Sequence, residues 1–171
     1  MAQPTLLQEA LTEESKEQES KLLRVCFVCT GNTCRSPMAE AVANHLAKER
    51  GRDLMAFSRG LYAFDGDPIA SHAVAVLERA GIKPTLDCDY HRHTARTLTD
   101  SDADGFDLLV GMGKSHVMEL MMRYPHLVRR IVCMPTPISD PVGGDLAVYE
   151  RCLAEITEGV EALLFSGDVT E

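Results

Sequence analysis

Two residues that together can do phosphate chemistry, Cys29 and Arg35, stand six positions apart in a short polar segment that reads CTGNTCR. Gly31 and Asn32, near its middle, are the residue types that most easily adopt left-handed backbone angles, which a tight loop needs in order to turn its amides inward. A planar guanidinium such as that of Arg35 can hold two phosphate oxygens at once. Residues 29–35, hereafter the phosphate loop, are therefore predicted to cradle a phosphoryl group beside a thiol nucleophile.

The phosphate loop lies between a predicted strand and a predicted helix. The apolar, β-branched run at residues 22–28 is typical of a buried parallel strand, and it ends at Cys29. After the loop, Ser36 followed by Pro37 predicts a helix with serine as its N-cap and proline in its first position. The positive end of that helix and the arginine beside it favour a thiolate at Cys29, which is the reactive form of a cysteine.

Strand and helix patterns alternate along the rest of the chain. Further strands are predicted at residues 54–58, 106–111 and 130–134, and further helices at about 70–80, 114–122 and 146–164. Such alternation predicts a parallel sheet with right-handed crossovers, helices on both faces, and a ligand site beyond the carboxyl ends of the strands. Cys29 stands at such an end.

Chain length and composition indicate one domain. A chain of 171 residues fits a single core, and its 45% hydrophobic and 25% charged content is ordinary for a globular protein. Residues 1–20 carry an excess of Gln and Glu with few apolar anchors. We therefore expect a mobile tail at residues 1–20 and a folded domain at residues 21–171.

Charge and hydropathy argue against several classes of protein. A net charge of −9 is unlike that of a general nucleic-acid binder, which needs clustered Lys and Arg. No apolar run is long enough to cross a bilayer, and the N-terminus lacks the basic start and apolar middle of a signal peptide. The six cysteines are scattered through a chain with its own core, which does not indicate a secreted disulfide framework. We expect a cytoplasmic protein that binds neither nucleic acid nor membranes.

The segment at residues 28–40, which reads VCTGNTCRSPMAE, and a later Asp140-Pro141 pair resemble the low-molecular-weight protein tyrosine phosphatase family. The resemblance covers roughly residues 22–164. It implies an α/β three-layer sandwich in which helices flank both faces of a four-stranded parallel sheet. It also implies a phosphocysteine intermediate on Cys29, and this chemistry requires no metal and no cofactor.

The same resemblance implies roles for residues in and around the phosphate loop. Asn32 would shape the loop, and the hydroxyl of Ser36 would stabilise the thiolate. Ser58 and His93 stand where the family has residues that brace Asn32. The residues expected to contact phosphate are Thr30, Gly31, Asn32, Thr33, Cys34 and Arg35.

Cleavage of the phosphoryl bond leaves a basic group that needs a proton, and Asp140 is the candidate acid. It follows the predicted strand at residues 130–134, in a proline-rich segment at the carboxyl edge of the sheet, from which it can reach Cys29. An aspartate before a proline is also a common turn element. The resemblance implies that Asp140 acts first as an acid and then as a base, activating the water that hydrolyses the phosphocysteine.

The identity of the substrate depends on Thr33 and on the residues after Asp-Pro. Phosphotyrosine members usually have a larger aliphatic residue at the Thr33 position and aromatic residues after Asp-Pro, which wall a slot for a flat ring. Here Val142, Gly143 and Gly144 offer little aromatic surface, and the chain has no tryptophan. The sequence is similar to the bacterial protein arginine phosphatase branch of the family at Thr33, in the Asp-Pro-x-Gly-Gly pattern and at Tyr149. The resemblance implies that the threonine selects against tyrosine. That branch differs in having an aromatic residue at the Val142 position.

These features predict a phosphorylated protein as substrate and inorganic phosphate as product. The hydroxyl of Thr33 can hydrogen-bond the guanidinium of phosphoarginine while leaving less apolar contact for a phenyl ring. We therefore expect dephosphorylation of phosphoarginine in proteins. Phosphotyrosine is the main alternative.

Other interpretations are weaker. Arsenate reduction coupled to thioredoxin uses a similar loop but needs two further relay cysteines, and only Cys88 stands in the relevant region. Cys26 and Cys29 with Cys34 could form half a metal site or a redox pair, but a second ligand pair is missing. Cys88 with His91 and His93 would be only a loose zinc site. Residues 111–115 resemble the end of a nucleotide-binding Walker loop, but the required earlier glycine is missing. We expect residues 113–115 to begin a helix at the rim of the site instead.

Cys34 has a separate predicted role in protecting the nucleophile. It stands five residues after Cys29, and we hypothesise that the two form a disulfide during oxidation, a role that the family resemblance supports. Cys26 and Cys29 are not expected to act together as metal ligands or as a redox pair, because residues three apart on a strand point to opposite faces of the sheet.

Overall fold

The computed structural model of the chain describes residue 5 and residues 22–167, so the tail predicted at residues 1–20 lies, apart from Thr5, outside the described residues. Within the described part, four parallel strands form one sheet in the order β2-β1-β3-β4. The strands are β1 at Leu23–Cys29, β2 at Leu54–Gly60, β3 at Leu108–Gly111 and β4 at Ile131–Cys133. The helices are α1 at Arg35–Glu49, α2 at Ser71–Arg79, α3 at Asp100–Asp104, α4 at Lys114–Arg123 and α5 at Leu146–Leu164, with short 3-10 turns at Tyr90–Arg92 and Pro125–Arg130.

The central strand β1 is buried on both faces. Val25 and Phe27 pack into the core beneath α1, α2 and α5. Cys26 and Val28 pack into a second core beneath α3 and α4. Successive side chains of a strand point to opposite faces, so a strand covered on both sides reads as an unbroken apolar run. The predicted three-layer α/β architecture is confirmed.

The predicted elements are present, with differences at their ends. The strand predicted at residues 130–134 is only Ile131–Cys133, because Pro125–Arg130 forms a 3-10 turn that leads into it. The helix α3 was not predicted. It has only five residues, too few to show a helical apolar period, and its N-terminus is closed by Thr99 Oγ1, which accepts from the Asp102 amide at 3.2 Å.

The predicted cap of the first helix was wrong. Helix α1 begins at Arg35, with Cys34 at the N-cap position and no side-chain hydrogen bond from the cap. The hydroxyl of Ser36 instead lies 2.9 Å from the sulfur of Cys29. Ser36, which the sequence pattern assigned to the N-cap, therefore contacts the sulfur of Cys29 instead of capping the helix.

The carboxyl ends of the strands meet at one edge of the sheet. Cys29 is in register with Gly60, and Val28 with Gly111. Gly60 is required there, because a Cβ atom at this position would lie 2.7 Å from the carbonyl oxygen of Thr30. This edge therefore gathers the phosphate loop, the segment after β2, the start of α4 and the segment after β4. None of the helices in the described residues is long and apolar enough to span a membrane.

Candidate active site

The phosphate loop is shaped around Asn32, which is fully buried and has a φ angle of 57°. Its side-chain oxygen accepts from the backbone amide of Arg96 at 2.9 Å, and its side-chain nitrogen donates to Ser36 Oγ at 2.8 Å. Its carbonyl oxygen accepts from His93 Nε2 at 2.8 Å. Asparagine accepts left-handed angles more readily than most residues, and these three bonds hold it there. These contacts support the loop-shaping role expected for Asn32, which stays a prediction.

Two donors converge on the sulfur of Cys29, which is 3% exposed. The backbone amide of Asn32 donates to it at 3.3 Å, and Ser36 Oγ lies 2.9 Å away. Because Ser36 Oγ already accepts from the Asn32 side chain, its own hydrogen is free to point at the sulfur. The arrangement suits a thiolate, which accepts charge-assisted hydrogen bonds.

A buried carboxyl group lies behind the loop. Glu40 Oε2 accepts from the Ser58 hydroxyl at 3.2 Å and lies 3.8 Å from His93 Nδ1. Burial raises the pKa of Glu40 to about 7, against the opposing effects of Ser58 and two nearby arginines. Burial also lowers the pKa of His93. His93 contacts Asn32, whereas Ser58 donates to Glu40; in the part of the chain that the structure describes, Ser58 connects to Asn32 through Glu40 and His93.

Arg35 connects the phosphate loop to the segment that carries Asp140. Its guanidinium is buried; Nη1 donates to the Ile138 carbonyl at 3.2 Å and Nη2 lies 3.6 Å from Asp140 Oδ2. The Asp140 side chain is 51% exposed, and its other oxygen accepts from the Val142 amide at 3.1 Å, the geometry of an Asx turn. The structure brings the predicted nucleophile, arginine and acid to one place.

A cavity of about 300 Å³ opens above the phosphate loop. Besides the loop residues, its lining residues are Tyr62, Phe64, Asp67, Asp140 and Val142. The expectation of little aromatic surface concerned residues 142–144; elsewhere on the cavity wall, Tyr62 and Phe64 are 62% and 79% exposed. They come from the segment after β2, and the signal for them was available: aromatic residues directly after the carboxyl end of a strand.

His116 is a further site residue that the sequence did not reveal. Helix α4 begins at Lys114, as predicted, and His116 in its first turn lies with Nε2 3.1 Å from Thr30 Oγ1. The ring is 4% exposed, and burial together with Arg35 lowers its pKa. Its position in the first turn of a helix at the carboxyl edge was the available signal.

The second cysteine of the loop contacts a tyrosine. Cys34 Sγ lies 3.3 Å from the Tyr149 hydroxyl, and burial together with this contact raises the pKa of Tyr149. The Tyr149 ring stacks on His72 with centroids 5.3 Å apart. Cys29 and Cys34 are both free thiols in this structure, and the disulfide between them stays a prediction.

The proposed zinc ligands make other contacts. His91 Nε2 lies 2.7 Å from Glu78 and Nδ1 lies 2.9 Å from Asp89. In the described part of the chain, no group of three or more His, Cys, Asp and Glu side chains could hold a metal ion.

Comparison with known proteins gives a consistent result. Residues 24–170 match the family described as low molecular weight phosphotyrosine protein phosphatase. A protein-arginine-phosphatase of Bacillus subtilis is 28% identical over 141 residues, which cover 78% of this chain and 89% of that protein. A low molecular weight protein-tyrosine-phosphatase PtpB of Staphylococcus epidermidis is 30% identical over 146 residues, covering 84% and 98%.

Solved structures show the same two kinds of relative. A low molecular weight protein tyrosine phosphatase from T. tengcongensis matches with a TM-score of 0.76 and 36% identity, over 84% of this chain and 99% of the other. A YwlE mutant from Bacillus subtilis matches with a TM-score of 0.77 and 25% identity, over 86% and 99%.

Proposed function

The chain belongs to the low molecular weight phosphotyrosine protein phosphatase family and is a protein phosphatase; from this premise we propose that Cys29 is its nucleophile and that it prefers phosphoarginine. The expected partners are phosphorylated proteins. Assignment of the catalytic domain to residues 21–171 and a cytoplasmic location are part of the same proposal.

In the first step, the Cys29 thiolate attacks phosphorus, so that an S–P bond forms while the P–N bond of phosphoarginine breaks. The amides of the phosphate loop and the guanidinium of Arg35 hold the phosphoryl oxygens as charge develops on them. Asp140 gives its proton to the departing guanidino nitrogen. Its place beside Arg35, 3.6 Å away on the cavity wall, supports this role.

In the second step, the Asp140 carboxylate takes a proton from a water molecule, and the resulting hydroxide attacks the phosphocysteine. The S–P bond breaks, inorganic phosphate leaves, and the thiolate is restored. The donors supplied by Ser36 and by the Asn32 amide stabilise the sulfur as a leaving group. No metal or cofactor takes part in either step.

The observation that carries the preference for phosphoarginine is the position of Thr33 in the cavity. Its hydroxyl lies 3.7 Å from Cys34 Sγ, a weak partner, and so can accept a hydrogen bond from a guanidinium. The carboxylate of Asp67 also lines the cavity and adds negative charge that favours a guanidinium over a neutral phenyl ring.

Phosphotyrosine is a second candidate that one observation favours. Tyr62 and Phe64 present exposed rings at the cavity wall, and rings can pack against a phenyl group. Both phosphorylated residues would use the same nucleophile, arginine and acid. The choice between them depends on the wall and not on the phosphate loop's catalytic groups.

The test is hydrolysis of a phosphoarginine peptide and a phosphotyrosine peptide side by side near neutral pH. The enzymes are wild type, Cys29→Ser, Thr33→Ile and a control, Thr157→Ile, which alters a threonine in α5 that does not line the cavity. We expect wild type to prefer phosphoarginine, Cys29→Ser to be inactive, and Thr33→Ile alone to shift preference toward phosphotyrosine. A wild-type preference for phosphotyrosine would overturn the substrate assignment and leave the mechanism standing. Cleavage of neither peptide would overturn both and make arsenate reduction the next assay.

A further inference from the structure

The side chain of Thr30 joins the floor of the cavity to a buried histidine. Thr30 is exposed and lines the cavity next to Cys29. Its hydroxyl has one protein partner among the described residues, His116 Nε2 at 3.1 Å. The direction of this hydrogen bond decides whether the hydroxyl hydrogen is available to a bound phosphoryl group.

The fold holds His116 close against the loop. Gly111, the last residue of β3, comes so near the first turn of α4 that an added Cβ atom would lie 2.7 Å from Val117 Cγ2 and 3.2 Å from His116 Cβ. The helix therefore packs directly on the strand end, and the His116 ring is 4% exposed. A ring enclosed in this way has little freedom to turn away from Thr30.

The imidazole of His116 is expected to be neutral near pH 7. Burial and the positive charge of Arg35 lower its pKa from the ordinary value, whereas Glu119 and Asp140 oppose this shift more weakly. A neutral imidazole carries one proton, on either Nδ1 or Nε2. The position of that proton is then the remaining question.

The surroundings of Nδ1 favour the proton on Nε2. His116 Nδ1 is buried and has no hydrogen-bond partner among the residues that the structure describes. Buried N–H groups without an acceptor are rarer in proteins than buried acceptors without a donor. With the proton on Nε2, His116 donates to Thr30 Oγ1, and the Thr30 hydroxyl keeps its own hydrogen for another acceptor.

We propose that His116 is a positioning residue that directs the Thr30 hydroxyl toward the phosphoryl group, so that Thr30 supplies a side-chain donor in addition to the loop amides and Arg35. This inference rests on the phosphate site proposed above. It predicts that the threonine hydroxyl and the imidazole act as one unit.

The first test compares Thr30→Val, which keeps the shape of the side chain but lacks the hydroxyl, with Thr30→Ser, which keeps the hydroxyl. Inorganic phosphate is the probe, measured as a competitive inhibitor of aryl phosphate hydrolysis. A hydrogen bond to a charged group corresponds to a factor on the order of tenfold to a hundredfold in affinity. We expect Thr30→Val to weaken phosphate binding by at least about tenfold, and Thr30→Ser to stay close to wild type.

The second test compares His116→Phe, which fills the space without a donor, with His116→Gln, whose amide nitrogen can replace Nε2–H. We expect His116→Phe to weaken phosphate binding as Thr30→Val does, and the double variant to be no weaker than either single variant. His116→Gln should recover most of the affinity. Equal losses with Phe and Gln, or additive losses in the double variant, would overturn the proposal.

A spectroscopic measurement separates this role from a merely structural one. Nitrogen-15 NMR of the phosphate-bound enzyme near neutral pH should show His116 neutral with its proton on Nε2. A proton on Nδ1, or unchanged phosphate affinity in Thr30→Val, would overturn the inference while leaving the phosphate site intact. Failure of wild type to bind inorganic phosphate would remove the proposed site itself and the inference with it.

Discussion

The phosphate loop and the segment at residues 135–144, hereafter the acid segment, form the two sides of one cavity but are built differently. In and beside the loop, Asn32 and Ser36 are fully buried, and Asn32 makes four hydrogen bonds: to Cys29, Ser36, His93 and the Arg96 amide. In the acid segment, Asp140 is 51% exposed and Val142 is 66% exposed. One side of the site is fixed by its surroundings, and the other faces solvent.

This difference follows from what each side must contact. Every substrate brings the same phosphoryl group, so a rigid cradle suits all of them. The leaving group and the attacking water differ from the phosphoryl group and from each other, and they must enter and depart past the acid segment. We therefore expect changes in the loop to affect all substrates alike, and changes in the acid segment to depend on the leaving group.

The largest effect is expected for Arg35→Lys. A lysine keeps the charge but cannot hold two phosphoryl oxygens in a planar fork. We expect kcat/KM to fall on the order of 10³-fold, by a similar factor for a phosphoarginine peptide, a phosphotyrosine peptide and p-nitrophenyl phosphate. Arg129→Lys, at an exposed position, is the control and should leave all three unchanged. Losses that differ strongly between the three substrates would contradict the claim that changes in the phosphate loop affect all substrates alike.

Asp140→Asn should give the opposite pattern. An amide cannot protonate a leaving group, so kcat for the phosphotyrosine peptide should fall by about a hundredfold or more. p-Nitrophenol is a far better leaving group and needs little protonation, so formation of the phosphocysteine from its ester should be much less affected, as measured by the burst phase. Equal losses for both substrates in that phase would show that Asp140 positions Arg35 rather than acting as an acid.

The phosphate loop and the parts of the site that come from other segments differed in how well the sequence predicted them. In the loop, a cysteine and an arginine between a strand and a helix predicted inward-turned amides, and the family resemblance implied the Ser36 hydroxyl; the Asn32 amide and Ser36 Oγ both lie beside the sulfur of Cys29. The aromatic wall was missed because Tyr62 and Phe64 lie about thirty residues from the loop, and only the register of β1 with β2 brings them to the cavity. His116 was missed for the same reason, since β3 and α4 place it.

Two substitutions at Asn32 separate the stability that comes from its side-chain hydrogen bonds from the cost of its left-handed backbone angle. Asn32→Ala loses the side-chain bonds to Ser36 and Arg96 and also puts alanine at a φ of 57°. Asn32→Gly loses the same bonds without the left-handed penalty. We expect the unfolding free energy to fall by about 2–4 kcal/mol for Ala and by about 1 kcal/mol less for Gly, measured by urea denaturation. Equal losses would mean that the hydrogen bonds alone hold this conformation.

The buried carboxyl behind the loop should make stability depend on pH. The pKa of Glu40 rises from 4.5 to about 7 on folding, so the folded state binds a proton that the unfolded state has lost between these pH values. Stability from this group is therefore present at low pH and is lost as pH rises through this range. Glu40→Gln keeps an acceptor for Ser58 and removes the titration. Its unfolding free energy relative to wild type should increase by about 2 kcal/mol from pH 5 to pH 8.

A flat difference between Glu40→Gln and wild type across that range would show that folding does not raise the pKa of Glu40. His93 titrates in both proteins, so its contribution largely cancels in the comparison. Glu158→Gln is a matched control, since it changes an exposed glutamate of α5 and should show no such trend.

The smallest effect is expected at the exposed end of the acid segment, in Val142→Phe. A ring at this position can pack on a phenyl group or on a guanidinium plane, so kcat/KM for both peptides should rise by about two- to tenfold, mainly through KM. Because Val142 is 66% exposed, the unfolding free energy should change by less than about 0.5 kcal/mol. Met122→Phe is the control, since Met122 is 81% exposed on α4 and does not line the cavity. An equal gain from the control, or a gain in kcat with KM unchanged, would show that the acid segment does not form the substrate wall. The proposed difference between the two sides, with the loop holding the phosphoryl group and the acid segment contacting the rest of the substrate, would then be wrong.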